Sequence, residues 1–112
     1  LLRSLYDRLG RPELAIPVLE ASIKAEPRQL AFALALAEVY WSVGRYDDAL
    51  ESYTRAVKHR PNLGADVYLK LGNLRYRRQE REEANRCWKR ALELEPTNAI
   101  ARTNLETARR SG

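Results

Sequence analysis

The sequence predicts an all-α solenoid built from antiparallel helix pairs, and three observations carry that prediction. Pro27, Pro61 and Pro96 stand 34 and 35 residues apart. The residues before each proline repeat by type. An alanine stands twelve before (Ala15, Ala49, Ala84), a bulky apolar residue eight before (Leu19, Tyr53, Trp88), and a small residue five before (Ser22, Ala56, Ala91). A leucine stands 25 before (Leu2, Leu36, Leu71). No stretch alternates apolar and polar residues as a half-buried strand does. A period in this range marks a stacked-repeat array, in which no unit buries its apolar face alone.

The first segment is incomplete. Leu1 stands inside a helix that Gly10 ends, and Pro12 suits the first turn of the next helix, where its missing N–H is no loss. With a start at Pro12, Pro17 falls past the first turn and is expected to kink the helix. In the second segment, Leu30 to about Val43 places Ala33, Leu36, Ala37 and Tyr40 on one helical face, and Gly44 supplies the stop. Tyr46 to about His59 forms the partner helix, with Ala49, Leu50, Tyr53, Ala56 and Val57 on its apolar side. Arg60-Pro61 ends it, because a residue before proline is driven away from helical angles.

The third segment gives Ala65 to about Arg78, then Arg81 to about Leu94, then Glu95-Pro96, with Gly64 as the extra residue behind the spacing of 35. Gln79 stands where the second segment has Gly44. A left-handed residue there costs roughly 1 kcal/mol without glycine, so this turn is expected to be reshaped. Thr97 or Asn98 caps a last helix from Ala99 to about Arg110, which either closes the array or begins another repeat. The expected organisation is one array over 1–112: a partial repeat 1–29, repeats 30–63 and 64–98, and the last helix 99–112.

The alanines have a packing reason. Two helices approach to about 8–10 Å only where the contact residues are small. Ala49 and Ala56, like Ala84 and Ala91, lie seven apart on one stripe of a second helix, and Tyr53 and Trp88 fill the space beside them.

Composition narrows the function classes. The chain has 112 residues, 45% hydrophobic and 31% charged, which suits a core-forming domain and excludes a disordered one. No apolar run approaches the roughly 18 residues of a membrane span, so no membrane insertion is expected. No basic-then-apolar leader opens the chain, and with no Met it is expected to be a piece of a longer protein. Cys87 is the only cysteine, so no internal disulfide forms and no metal site or cofactor is expected. The net charge is +5, which favours an acidic partner if any. A soluble, cytoplasmic setting is the expectation, although nothing in the residues fixes the compartment.

These residues resemble the tetratricopeptide repeat, whose pattern is W-x2-L-G-x2-Y, then A-x3-F, then P. The second segment matches as Ala33-x2-Leu36-Ala37-x2-Tyr40, Ala49-x3-Tyr53 and Pro61. The third matches as Tyr68-x2-Leu71-Gly72-x2-Arg75, Ala84-x3-Trp88 and Pro96, departing at Arg75, Gln79 and Arg81. The resemblance implies a right-handed superhelix whose concave side is lined by the first helix of each pair. It then implies a protein–protein interaction module or scaffold that binds a peptide segment of its partner in that groove. On these positions the groove receives Leu34, Glu38 and Trp41 from the second segment. It receives Leu69, Lys70, Asn73, Tyr76 and Arg77 from the third, and Thr103 and Asn104 from the last helix, with Ser4, Asp7, Arg8 and Ile100 at equivalent positions. Trp41 and Tyr76 are equivalent aromatics, of the kind that dominates binding hot spots. One subfamily holds chaperone C-termini in a lysine–asparagine clamp. The match to that clamp is poor, because Ala35 and Ser4 stand at clamp asparagine positions.

No catalytic residues are expected. His59 lies at a helix end, adjacent Glu82 and Glu83 point apart as ion-pair partners for Arg78 and Arg86, and no phosphate loop or nucleophile elbow appears. The alternative reading is a single-stranded nucleic-acid binder built on Arg75, Arg77, Arg78 and Arg81 around Tyr76. Glu80, Glu82 and Glu83 interrupt that cluster, so nucleic acid is not the expected partner. Leu1, Leu2 and Leu5 would leave an uncapped first face, through which self-association is expected.

Overall fold

The computed structural model describes residues 11–111. After a 3-10 turn at Pro12–Leu14 come six helices: α1 (Ala15–Ala25), α2 (Leu30–Ser42), α3 (Tyr46–His59), α4 (Ala65–Arg77), α5 (Arg81–Leu94) and α6 (Ala99–Ser111). No strand occurs among the described residues. The chain folds as two compact units, residues 1–59 and 60–112. The positions of Leu1, Leu2, Ser4, Leu5, Asp7, Arg8 and Gly10 lie outside the described residues, as do the expected first helix and the face attributed to it.

In the first unit, α2 packs against α1 and α3. Pro17 lies within the first turn of α1 rather than past it. Pro12 to Leu14 form the separate 3-10 turn, so the α-helix begins at Ala15 and Pro17 is its third residue. There the backbone N–H would have no intrahelical acceptor, and proline loses nothing. Ala49 and Ala56 are 0% exposed, and Tyr53 lies buried between them on the same stripe. The charges of α3 match its dipole: Asp47 and Asp48 occupy its first turn, Lys58 and His59 its last. Gly44 ends α2 at φ +81°, in the left-handed region. Its N–H donates to the Trp41 carbonyl at 3.2 Å and the Arg45 N–H to the Tyr40 carbonyl at 2.8 Å. Orphan carbonyls of α2 are thereby satisfied.

In the second unit, α5 packs against α4 and α6. The turn at Gln79 is not reshaped. Gln79 adopts φ +64°, its N–H reaches the Tyr76 carbonyl at 2.9 Å, and the Glu80 N–H reaches the Arg75 carbonyl at 3.0 Å. The two hydrogen bonds and the seating of α4 on α5 outweigh the strain of one left-handed glutamine. Ala84 and Ala91 are buried as Ala49 and Ala56 are, and Trp88 takes the place of Tyr53 at 3% exposure. Its larger ring fits because α4 carries Gly72 where α2 carries Ala37. A Cβ at position 72 would stand 2.3 Å from the Trp88 indole nitrogen.

Side chains hold the loops. The Pro61 carbonyl accepts from the Tyr68 hydroxyl at 2.5 Å and from Arg90 at 3.2 Å. Arg102, at the repeat position of Tyr68, donates to the Pro96 carbonyl at 3.2 Å. Asn98, rather than Thr97, caps α6: its side-chain oxygen accepts from the Ala101 N–H at 2.9 Å.

Candidate functional site

Leu69, Gly72, Asn73 and Tyr76 follow the i, i+3, i+4, i+7 spacing and share one face of α4. Their surroundings differ. Leu69 packs, with Leu105 of α6, against the buried cluster of Ala84, Trp88 and Ala108. Tyr76 is 37% exposed, and its ring lies on Trp88 with centroids 5.8 Å apart and planes inclined at 41°. Asn73 accepts from the Asn104 side-chain amide of α6 at 3.4 Å. That bond is long and half-buried. It leaves both amides with donor and acceptor capacity to spare.

The structure therefore brings Leu69, Asn73, Tyr76 and Asn104 together across α4 and α6. Lys70 is half-buried, Arg77 exposed, and Thr103 exposed one residue before Asn104. Ile100, one turn before Asn104, is 61% exposed, a large apolar side chain turned to solvent. In the first unit, Leu34 and Glu38 are half-buried on α2. Trp41, also half-buried, meets Tyr46 of α3 edge-to-face at 5.7 Å and 81°. Part of its ring is thus spent on packing.

Sequence reasoning placed Trp88 in the core and stopped there. It also lies beneath Tyr76, and its indole nitrogen is buried without a hydrogen-bond partner among the described residues. The signal that could have found this is the paired exchange of Ala37 and Tyr53 for Gly72 and Trp88.

The arginine cluster is occupied by its own acid. Arg75 donates to Glu80 at 3.0 Å and Arg78 donates to the same carboxylate at 2.7 Å. The hydrogen bond from Arg78, with the charges of Arg75 and Arg78 adding to it, holds the Glu80 carboxyl below the usual range against an opposing desolvation. Glu82 and Glu83 were the acids expected near Arg78, and Glu80 was not among them. Glu80 reaches Arg78 because the left-handed turn at Gln79 carries it back towards the end of α4. Burial pushes the Cys87 thiol up, which disfavours the thiolate. His59 is exposed at the end of α3. Among the described residues no group of His, Cys, Asp and Glu is suited to a metal ion, and no helix is long and apolar enough to cross a membrane.

Sequence models of the tetratricopeptide repeat match residues 4–63 and 65–98, and the chain belongs to the tetratricopeptide repeat family. It is similar to the Protein CTR9 homolog of Arabidopsis thaliana, 28% identical over 92 residues, which are 82% of this chain and 8% of that protein. The chain thus spans less than a tenth of that relative. Among solved structures it resembles MamA, with a TM-score of 0.86 and 26% identity over 95% of this chain and 61% of that one. It also resembles the first tetratricopeptide domain of Spaghetti (RPAP3) bound to the HSP90 peptide SRMEEVD. There the TM-score is 0.84, with 25% identity over 96% of this chain and 85% of that one. Tetratricopeptide domains are protein–protein interaction modules and are generally not enzymes.

Proposed function

We propose that this chain binds a peptide segment of a partner protein and that the α4–α6 face of the second unit makes the principal contact. The observation that carries this reading is the Asn73–Asn104 amide pair beside the exposed ring of Tyr76. A peptide backbone presents one donor and one acceptor per residue, and two side-chain amides with spare capacity can take both. Tyr76 and Ile100 offer apolar area at low entropic cost, flanking the polar pair on either side. Lys70 and Arg77 supply positive charge for a carboxylate. Leu34, Glu38 and Trp41 occupy the corresponding positions of α2 in the first unit.

Peptides selected from a random display library, measured by isothermal titration, test the reading. Tyr76→Ala combined with Asn73→Ala should weaken binding at least about tenfold, the loss of a hot-spot aromatic and a polar anchor. Undiminished affinity in that double variant removes the site. The chaperone peptide SRMEEVD is expected to bind weakly, since Ala35 stands where the clamp needs asparagine.

A further inference from the structure

We infer, resting on the reading of the α4–α6 face given above, that the buried indole N–H of Trp88 is a further ligand-binding group of that face. It donates to a backbone carbonyl of an extended peptide when the Tyr76 ring turns aside. Trp88 is 3% exposed, and its indole nitrogen meets no hydrogen-bond acceptor among the described residues. A buried donor left without a partner is costly, and the indole has no second polar group to offset it. Packing alone does not call for that donor. The tetratricopeptide pattern has phenylalanine at this position, a ring that fills space and carries no N–H.

The neighbours place the N–H at the site. Gly72 lets the nitrogen come up to the α4 backbone, where a Cβ would stand 2.3 Å from it. Gly72 is the residue before Asn73 and lies one turn from Tyr76. Leu69 of α4 and Leu105 of α6 pack on the same cluster, and the Asn73–Asn104 bond at 3.4 Å joins the two helices. Tyr76 covers the indole on the solvent side. Its ring rests on Trp88 with centroids 5.8 Å apart, yet it is 37% exposed. An exposed side chain changes rotamer within picoseconds to nanoseconds. Trp88 is held by Ala84, Ala108, Leu69 and Leu105, so the donor is fixed and the cover is the part that moves.

These surroundings select the ligand group. An indole nitrogen is a donor only, so the ligand must bring an acceptor. The cluster around it is apolar, and a carboxylate would lose its hydration there for a single hydrogen bond to a neutral donor. A backbone carbonyl is neutral, and every residue carries one. In a helical ligand most carbonyls are already bonded within the helix, whereas an extended segment leaves them available. Asn73 and Asn104 then take the adjacent peptide groups. The Trp88 contact is blind to ligand sequence, so it adds affinity for extended chain and leaves selection to the side chains beside it.

The test is NMR of the Trp88 indole proton in the whole chain, assigned by its through-space contacts to Leu69 and Leu105. The probe is the tightest peptide from the display selection. On its addition the proton is expected to move downfield and to exchange more slowly with solvent, as a newly hydrogen-bonded proton does. Trp88→Phe should weaken binding of that peptide about twofold to tenfold, the worth of one neutral hydrogen bond. Where that variant fails to fold, the proton measurement decides alone. In the free chain, Tyr76→Ala should speed exchange of the same proton by removing its cover. A peptide that binds while the proton stays in place, a folded Trp88→Phe with full affinity, or unchanged exchange in Tyr76→Ala would each overturn this inference and leave the α4–α6 site standing. Undiminished affinity in the variant that combines Tyr76→Ala with Asn73→Ala would remove that site and this inference with it.

Discussion

Gly72→Ala sets two effects of opposite sign against each other. In an exposed helix interior the change gains about 1 kcal/mol, because alanine has the better helix propensity. Here the new methyl would stand 2.3 Å from the Trp88 indole nitrogen, 2.5 Å from Cδ1 and 2.9 Å from Cε2. Carbon contacts are favourable near 3.5–4.0 Å, so the ring or the helix must shift by about 1 Å. Trp88 is 3% exposed and rigid, with Ala84, Ala108, Leu69 and Leu105 around it, so it has no free direction in which to move. Overpacking of this kind costs about 1–3 kcal/mol. An overlap this deep against a rigid bicyclic ring belongs at the upper end, leaving a net loss of about 2 kcal/mol. By the usual scaling that lowers the melting temperature by roughly 8 °C. The second repeat shows the remedy, since Ala37 and Tyr53 coexist there with both side chains buried. Trp88→Tyr alone should be destabilising through lost contacts. Combined with Gly72→Ala it should recover at least about 1 kcal/mol relative to the sum of the single changes. Urea denaturation followed by circular dichroism gives all four corners of the cycle. If Gly72→Ala equals or exceeds the parent in stability, propensity has won, and the close approach of α4 to Trp88 is not what holds that contact.

Four further outcomes are expected. Gln79→Gly should stabilise by about 1 kcal/mol, relieving the left-handed strain at φ +64°, and an unchanged urea midpoint would show that the glutamine is not strained. Ala56→Leu and Ala91→Leu should each cost about 1–3 kcal/mol, while Arg55→Ala stays within about 0.5 kcal/mol, so matching midpoints would refute the assigned register. Tyr68→Phe should lose about 1 kcal/mol by removing the hydroxyl that donates to the Pro61 carbonyl, again read from the midpoint. Cys87 should react slowly with iodoacetamide at mildly alkaline pH and quickly once urea unfolds the chain, because burial disfavours the native thiolate; equal rates would show the thiol to be accessible.

The helix pairs were legible because their signal is local and repeated. Proline spacing, alanine stripes and the 3.6-residue period place α3 and α5 at the residues where they occur, Tyr46–His59 and Arg81–Leu94. The turn residues were read well where backbone chemistry decides, as at Gly44, and the cap of α6 was narrowed to Thr97 or Asn98, of which the structure uses Asn98. They were read poorly where packing overrides propensity. Gln79 holds glycine's conformation because helix seating compensates the strain. Pro17 falls in the first helical turn because a 3-10 turn moves the helix start three residues on. The candidate site was legible in position, since Asn73, Tyr76 and Asn104 follow from repeat register. Its partners were not. That Asn104 meets Asn73, that Trp88 lies under Tyr76, and that Glu80 draws in both Arg75 and Arg78 each depends on which side chains adjacent elements bring together.

What the sequence by itself determined is the family, the helical repeat and which residues are small at the helix contacts. Those follow from periodicity and residue volume, which are properties of the chain read in one dimension. The tertiary structure alone decided which polar groups are already satisfied and which retain capacity. Asp48 and Glu51 are answered by Arg45 and Arg55, whereas Glu20 meets only a phenol among the described residues. Asn73 and Asn104 share one long bond and keep the rest of their hydrogen-bonding groups available. Pairing of this kind depends on distances of a few ångströms between side chains on different helices. Repeat spacing sets which helices are neighbours, but rotamers and packing set those distances.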